Sequence, residues 1–343
     1  MVHKKVVLHI GPLSSRGGMS RVMDLLINNS PQGWDSIVMD TYLNSNKIKK
    51  IFNVIKLRNK LKEQIVDFSP DLIHIHVTHN FSWWRKLILI NLAIKKKIPV
   101  VINIHSGKFD IYCQSLFGLP GKKLKSLSKN DLVSVVVLEK RWLVKISKYS
   151  SNLCSIRNPV ELTNNISKNK QFGHLKLLLI ARGDSIKGHE FAVEIMNLIS
   201  EKGFNVRLTM TGINDSSKYA EDDRITTYGW LENHEEVKNL IIESDFVLSP
   251  SNYEGSSMSV LESMALGTIP IVSKASAETV SLDELVIDTM DVLDWAEAII
   301  NIETKSKQNM IKDAIKKVVV KHDVSQVSEN WRIKYNSIIN NTK

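Results

Sequence analysis

The feature that most constrains the fold of this chain is an alternation of strand-like and helix-like segments that starts twice. Residues 6–10 and 175–181 are short apolar runs that fit buried strands, whereas residues 47–68 and 187–201 repeat apolar side chains at helical spacing. Strands joined by crossover helices form parallel sheets. The sequence therefore predicts an α/β protein with two such halves.

A polar stretch separates the two halves. Residues 161–174 are rich in Asn, Lys and Gln and interrupt the alternation before it starts again. A chain of 343 residues is long enough for about two domains. We therefore predict a first domain over residues 1–160 and a second over residues 161–325, followed by a helical tail.

Charge and cysteine content restrict the partners and the compartment. The net charge of +10 favours anionic partners. Cys113 and Cys154 are too few for a disulfide framework and form no C-x-x-C pair, which fits a reduced compartment. No apolar run reaches the roughly 18 residues of a membrane-spanning helix, and the first apolar run is too short for a signal peptide. We expect a cytoplasmic protein.

The most informative stretch is SPSNYEGSSMSVLESMALGTIPIVS, residues 249–273. An apolar strand ends at Ser249, a polar loop with Glu254 follows, and a helix begins near Ser257. Unpaired N–H groups and the positive dipole end of a helix N-terminus suit a phosphate. Glu254 and Glu262 could accept hydrogen bonds from the paired hydroxyls of two sugars. The alternative is an ordinary strand-to-helix turn with a surface Glu and a capping Ser.

Two further strand-to-helix loops could face a phosphorylated ligand. In ARGDSIKGHE, Arg182 and Lys187 enclose a short loop and could hold a diphosphate, although two basic residues in a loop are more often simply solvated. In HIGPLSSRGGMSRV, Gly17 and Gly18 permit close approach of a ligand to the backbone, although the G-x-G-x-x-G and P-loop patterns are absent. A plain flexible turn is the alternative there.

Together these stretches resemble the retaining glycosyltransferases of the GT-B fold known as glycosyltransferase group 1, or family four. The family pattern E-G-F-G-L-P-V-L-E-A-M-A-C-G-T-P-V-V is similar to E-G-S-S-M-S-V-L-E-S-M-A-L-G-T-I-P-I-V, residues 254–272. The resemblance implies two Rossmann-like domains that face each other across a cleft. The tail resembles the family's final helix, so residues 326–343 are expected to pack back on the N-terminal domain.

The resemblance implies a donor site for a nucleotide diphosphate sugar, mainly in the C-terminal half. Glu254 would contact hydroxyls of the donor sugar, and Glu262 would hold the ribose hydroxyls. Ser257 begins the helix whose backbone N–H groups, at Met258 and Ser259, would meet the diphosphate. UDP-sugars are the first expectation for the donor and GDP-mannose is the second.

The other roles implied by the resemblance concern the departing diphosphate and the donor sugar. Arg182 and Lys187 would neutralise the diphosphate, Gly17 and Gly18 would let the N-terminal loop close over it, and Leu231 would lie against the base. His105 matches a family histidine near the donor sugar. The candidate catalytic residues are therefore His105, Arg182, Lys187 and Glu254.

The expected reaction needs no cofactor and no metal. Negative charge builds on the diphosphate as it leaves, and fixed cations with a helix N-terminus can stabilise that charge. No D-x-D motif lies where a metal-bridged diphosphate would need one. His74, His76 and His79 could suggest a metal site, but no cysteine or pair of carboxylates accompanies them, so we predict no metal there.

The basic segment 47–62 has two interpretations. It could be an amphipathic helix that docks on an anionic membrane, where a lipid-linked acceptor would lie, or it could be a solvated helix face. The first is slightly favoured. Trp83 and Trp84 could serve as an acceptor platform or membrane anchor, but a half-buried helix start is the more frequent arrangement.

Three classes of function fit these observations. The favoured class is a glycosyltransferase that adds a sugar to a lipid-linked or saccharide acceptor in cell-surface glycan synthesis. A second is another enzyme of the same fold, such as a sugar-nucleotide epimerase, which the spacing of Glu254 and Glu262 disfavours. A third is a non-catalytic binding module. Specific nucleic-acid binding is not expected, because the lysine clusters lack interleaved aromatic residues.

Overall fold

The computed structural model describes residues 4–15, 17–42, 47–163, 173–183, 188–303 and 305–342. For residues 47–53 and 305 it describes the helix but not the side chains. The chain forms two compact units. Unit 1 comprises Met1–Pro159 and Val324–Lys343, and unit 2 comprises Val160–Asp323.

Unit 1 is built on a parallel sheet of six strands. The order across the sheet is β2-β1-β3-β4-β5-β6, so the first strand lies inside the sheet and the strand order reverses between β1 and β3. The strands are β1 (Lys5–Gly11), β2 (Trp34–Asp40), β3 (Leu72–Val77), β4 (Val100–Ile104), β5 (Val133–Val137) and β6 (Leu153–Ser155).

Helices connect these strands and cover the sheet. They are α1 (Gly18–Asn28), α2 (Lys47–Phe68), α3 (Phe81–Lys95), α4 (Phe109–Gln114), α5 (Leu119–Leu127) and α6 (Lys140–Ile146). Alternate residues of the strands, such as Leu8 and Ile75, pack with Leu61 of α2 and with Trp83 of α3 in one buried cluster. Trp83 is fully buried there, and Trp84 is half-buried against the same cluster. This burial confirms the predicted half-buried helix start and excludes Trp83 as a surface platform.

The last helix of the chain belongs to unit 1. Helix α13 (Val324–Thr342) contributes two fully buried aromatic side chains, Trp331 and Tyr335. The Tyr335 ring lies 5.0 Å from that of Trp34 at the start of β2, and its hydroxyl lies 2.7 Å from Nδ1 of His74. This helix therefore covers the face of the sheet opposite to the α2–α3 side.

Unit 2 is built on a second parallel sheet of six strands. Its order is β12-β11-β10-β7-β8-β9, so the strand order reverses between β7 and β10. The strands are β7 (Leu175–Leu179), β8 (Val206–Met210), β9 (Ile225–Thr227), β10 (Phe246–Ser249), β11 (Ile269–Ser273) and β12 (Val286–Ile287). Two parallel six-stranded sheets confirm the predicted α/β class.

The helices of unit 2 alternate with its strands and then close the unit. They are α7 (His189–Glu201), α8 (His234–Glu243), α9 (Met258–Ala265), α10 (Ala277–Val280), α11 (Val292–Ile302) and α12 (Lys305–Val319). No helix in the described part of the chain combines the length and the apolar character that crossing a bilayer requires. The division of acceptor and donor binding between residues 1–160 and 161–325 stays a prediction.

Candidate functional site

Two candidate donor residues of unit 2, Arg182 and Glu254, lie on loops that leave its sheet where the strand order reverses. Arg182 follows β7, and Glu254 follows β10; the two strands are direct neighbours. In open parallel sheets, ligands bind beyond the carboxyl ends of the strands at such a reversal. The topology thus brings residues 180–183 and 250–257 to the position where an α/β sheet binds a ligand.

These loops pack tightly against one another. Gly188 has a φ of 81°, and a Cβ atom built on it would lie 2.6 Å from Cγ of Pro250. Gly212, at the end of β8, has a φ of 80°, and a Cβ there would lie 2.2 Å from the carbonyl oxygen of Ala181. Only glycine fits both the backbone conformation and the space at these two positions. The close approach fixes the shape of the carboxyl edge of the sheet.

The segment after β10 gives a buried loop that leads into a helix N-terminus. Ser256, Ser257 and Met258 are buried, and Ser257 occupies the N-cap position of α9. Its hydroxyl lies 3.1 Å from that of Ser259 rather than capping the helix through a backbone N–H. The N–H groups of the first turn of α9 have no partners within the helix. Small side chains and these donors together suit an anion.

Glu262 lies in the second turn of α9 and faces the start of α8. Its Oε1 is 3.3 Å from Nε2 of His234, which is the first residue of α8. The Glu262 side chain is only 12% exposed, compared with 32% for His234. His234 could not be predicted from the sequence, because its contact with Glu262 depends on two helices that start at the same edge of the sheet. Glu254 lies in the loop before α9 and is half-buried.

The remaining candidates of unit 2 lie at the same edge, except for one outside the described residues. Arg182 is exposed directly after β7. Leu231 is half-buried in the segment between β9 and α8. This segment pairs with the residues that follow β8, for example through the hydrogen bond from the Ile213 N–H to the Tyr228 carbonyl, 2.9 Å. Lys187 lies outside the described residues, so its position stays a prediction.

In unit 1, the loop with Gly17 and Gly18 lies where β1 gives way to α1. Gly17 has a φ of 124° and a ψ of 178°, a conformation essentially limited to glycine, and no other atom lies within 4 Å of a Cβ built there. The open space above Gly17 permits close approach to the backbone. This loop follows β1, which neighbours β3 at the reversal of strand order in this sheet.

His105 directly follows β4, is half-buried and joins the end of a chain of buried imidazoles. Its Nε2 lies 2.9 Å from Nδ1 of His76, and Nε2 of His76 lies 3.2 Å from Nδ1 of His9. His9 pairs with His74 in the register of β1 and β3, and the rings of His74 and His76 stack, so these side chains share one face of the sheet. His79 is separate and lies 2.6 Å from the hydroxyl of Ser106.

Burial keeps these imidazoles neutral. It lowers the pKa of His9 to about 3 and lowers the pKa values of His74 and His76 well below their usual range. Burial, with a contribution from the Lys86 ammonium, lowers the pKa of His105 to about 3. Lys86 is itself buried, which lowers its pKa to about 7, and it donates to the carbonyl of His76. The neutral His105 ring can therefore donate or accept a hydrogen bond but not act as a cation at pH 7.

Among the described residues, His9, His74 and His76 form a group whose nitrogens lie within 4.8 Å of one another and could meet a metal. Two features oppose that interpretation. His9 and His76 already share a hydrogen bond, and the His74 and His76 rings stack with centroids 4.2 Å apart and planes 20° apart. Zinc requires nitrogens that converge on one point at about 2.0–2.1 Å. We therefore keep the prediction that no metal binds there.

Residues 174–305 match a family model described as glycosyl transferases group 1. Protein CapJ from Staphylococcus aureus is 25% identical over 319 residues, which cover 86% of this chain and 77% of CapJ. The matched region thus includes β7 to α11, with every candidate residue of the donor site in unit 2.

Solved structures share the fold over nearly the whole chain. A sucrose-phosphate synthase from Thermosynechococcus elongatus superposes with a TM-score of 0.78 at 16% identity, covering 97% of this chain and 99% of that one. S. aureus TarM, solved with fondaparinux, α-GlcNAc-glycerol and UDP, superposes with a TM-score of 0.64 at 16% identity over 83% of this chain and 59% of TarM. The chain thus shares the GT-B fold, and its residues 174–305 are similar to the glycosyl transferases of group 1.

Proposed function

We propose that this protein is a retaining glycosyltransferase that transfers a sugar from a nucleotide diphosphate sugar to a lipid-linked or saccharide acceptor in cell-surface glycan synthesis. The main support is the arrangement at the reversal point of the unit 2 sheet. There the loop with Arg182 and the segment from Glu254 to Glu262 follow neighbouring strands. A UDP-sugar is the first candidate donor, since TarM was solved with UDP, and GDP-mannose is the second.

Each group in this arrangement has a proposed task. The N–H groups at the start of α9 and the cations Arg182 and Lys187 stabilise the diphosphate as its negative charge grows. Glu262 accepts hydrogen bonds from the ribose hydroxyls, and Glu254 accepts them from the donor sugar. Because these fixed groups suffice to balance the leaving charge, the proposed reaction needs no metal.

Unit 1 contributes two proposed contacts to the same reaction. His105 meets the donor sugar as a neutral hydrogen-bonding group, in keeping with its lowered pKa. Gly17 and Gly18 let their loop approach the phosphates without a side chain in the way.

In unit 2, Leu231 packs against the base. We propose that the protein is cytoplasmic and that its acceptor lies at the inner face of a membrane.

The first test is a thermal-shift panel of UDP, GDP and their sugar conjugates without added metal, on the wild type, Glu262→Ala and Glu201→Ala. Glu201 is an exposed carboxylate at the end of α7 and serves as the matched control. A ligand at 100 times its Kd adds about 2.7 kcal/mol of stability. We expect one nucleotide class to stabilise the wild type and the control, and Glu262→Ala to lose most of the shift. A wild type that responds to no nucleotide would overturn the proposed donor site.

The stereochemical part of the proposal needs a separate measurement. The donor identified by the panel is incubated with simple saccharide and lipid-linked acceptors, and the anomeric coupling in the product is read by NMR. An α-linked donor should give an α-linked product. A β-linked product would disprove the retaining mechanism while leaving the donor site intact.

A further inference from the structure

An apolar tip projects from unit 1 between α4 and α5. We define the apolar tip as Leu116–Leu119, in which Phe117 is 95% exposed, Leu116 55% and Leu119 46%. Three large apolar side chains exposed within four residues are unfavourable in water. Contiguous exposed apolar surface of this kind marks an interaction site more often than a neutral surface.

The backbone holds this tip in an unfavourable conformation. Leu116 and Phe117 have φ values of 50° and 56°, the left-handed region that non-glycine residues seldom occupy, and Gly118 follows at 75°. Non-glycine residues are disfavoured in that region because Cβ crowds the backbone. The turn is closed by hydrogen bonds from the Ser115 N–H to the Tyr112 carbonyl, 3.0 Å, and from the Gly118 N–H to the Ser115 carbonyl, 2.9 Å. In this conformation Leu116, Phe117 and Leu119 are exposed.

The base beneath the tip is well packed. Pro120, Gly121 and Leu124 of α5 are buried, and a Cβ on Gly121 would lie 2.5 Å from the ring of Tyr149. Tyr112 of α4 is also buried. The tip is therefore presented on a firm support, so its apolar side chains cannot relax into the core without breaking these contacts.

Positive charge surrounds the tip. Between residues 111 and 130 the sequence has four lysines and no Asp or Glu. The exposed lysines are Lys122, Lys123, Lys125 and Lys129. On α5, Lys122 and Lys123 follow Leu119 at three and four positions, so they share its solvent face. Apolar side chains next to these lysines complement an anionic lipid bilayer, in which phosphate groups overlie acyl chains.

Helix α2 lacks this combination among its described side chains. Its apolar stripe, Leu57, Leu61 and Ile65, packs against the core of unit 1. The exposed Val66 and Phe68 are two positions apart and therefore point to different sides of the helix, and Ile55 lies ~16 Å from Val66 along the helix axis. Lysines such as Lys56 and Lys60 are exposed. Helix α2 can therefore add attraction to an anionic surface but not a compact group of side chains for insertion.

The topology sets the tip on the side of the sheet where the candidate site lies. All strands of a parallel sheet begin at one edge, and α5 leads the chain to the start of β5. The tip at the start of α5 therefore lies toward the opposite, carboxyl edge. His105 follows β4 at that edge. A bilayer that contacts the tip would therefore lie on the side of unit 1 that carries His105.

We propose that the apolar tip inserts into an anionic bilayer surface, with Phe117 among the acyl chains and the lysines of α5 beside the lipid phosphates. This inference makes specific the membrane partner of the proposed function and assigns it to the tip rather than to α2. Vesicle binding requires no sugar transfer, so the two proposals can fail independently.

The first experiment is sedimentation with phosphatidylcholine vesicles, with and without phosphatidylglycerol, at low and physiological salt. The variants are Phe117→Ser, the combined Lys122→Gln, Lys123→Gln and Lys125→Gln, and Met310→Ser. Met310 is an exposed apolar residue of unit 2 and serves as the matched control. We expect the wild type to bind anionic vesicles only. The affinity should fall at least about tenfold in Phe117→Ser and roughly fivefold per lysine in the charge variant. The control should bind as the wild type does.

A second experiment detects insertion directly. An environment-sensitive fluorophore is attached at Phe117→Cys or, as the control, at Met310→Cys, in a Cys154→Ser background. The buried Cys113 thiol, whose pKa burial raises to about 12, is not expected to react. We expect a blue shift and an intensity gain with anionic vesicles at position 117 alone.

The outcomes separate the alternatives. If Phe117→Ser binds vesicles as the wild type does, lysines elsewhere on the chain mediate the binding and the proposal is wrong. If the wild type binds no vesicles, the tip has another partner, such as a protein, and the proposal is equally wrong. The nucleotide thermal shift of Phe117→Ser should match that of the wild type, because the donor residues are unaltered; this result is independent of either vesicle outcome.

Discussion

Lys187 and Glu262 are expected to act at different stages of one reaction. In the proposed reaction, the charge of Lys187 would matter most when the diphosphate departs, whereas Glu262 would hold the nucleotide before and after that step. We expect Lys187→Ala to lower kcat more than it lowers donor affinity, because it removes an interaction that strengthens in the transition state.

Kinetics and nucleotide binding of Lys187→Ala, with Lys202→Ala as an exposed lysine control, measure this difference. Equal and negligible effects of Lys187→Ala and Glu262→Ala would contradict the site assignment.

His9 makes stability depend on pH. Burial lowers its pKa from 6.5 to about 3. Between these values the unfolded chain binds a proton that the folded chain does not, so stability is full above pH 6.5 and falls as the pH drops toward 3. We expect His9 to cost about 2 kcal/mol at pH 5. Urea unfolding at pH 7.5 and pH 5 measures it, and His9→Gln should show a shallower pH dependence; an identical dependence would show that His9 protonates freely.

Single residues also show where sequence reasoning stops. Glu254 and Glu262 could be proposed as donor-binding residues because they lie in one continuous pattern with a family resemblance. The contacts of His9 with His76 and of His234 with Glu262 could not, because each joins residues from separate elements. Which strands become neighbours is decided by packing of the whole sheet, and the local pattern does not contain it.

At the scale of elements, the glycine at the end of β8 is a sharp test of the loop arrangement. Gly212 and Gly203 have similar φ values, 80° and 91°, but only at Gly212 would an added Cβ meet another backbone, 2.2 Å from the Ala181 oxygen. Gly203→Ala should cost about 1 kcal/mol, from backbone strain alone.

Gly212→Ala should cost clearly more and should also weaken donor binding, because the loop with Arg182 must move. Denaturant unfolding and the nucleotide thermal shift measure both effects. Equal losses in the two variants would mean that the contact at Gly212 does not shape the site.

Long elements were predictable and short ones were not. The spacing of apolar residues predicted α2 with the bounds that the structure shows, Lys47–Phe68. The sequence did not predict α4, α5 and α6, which have only six to nine residues each, or the two-residue β12. A helix of two turns has too few repeats for periodicity, and tertiary contacts stabilise it.

At the scale of the whole molecule, the last helix is an integral part of unit 1. Trp331 and Tyr335 are fully buried, and Tyr335 bonds to the buried His74. Truncation after Asp323 should destabilise unit 1 by more than about 5 kcal/mol, because two large buried aromatic side chains are lost. Unit 2 contains none of these contacts and should unfold as before.

Calorimetry of the truncated chain tests this, with Ile333→Ser as the control at an exposed position of the same helix. A single transition at the wild-type temperature would contradict it.

The path of the chain through the two units has a consequence for synthesis. Unit 1 ends its first passage at Pro159 and receives its last helix from Val324 onward. During translation, the histidine-lined face of its sheet stays uncovered until α13 is made, which happens only after all of unit 2 has been synthesised. At 5–20 residues per second this delay is roughly 10–30 s. Over that interval the nascent chain exposes the future binding surface of α13, and a ribosome-associated chaperone has time to engage it.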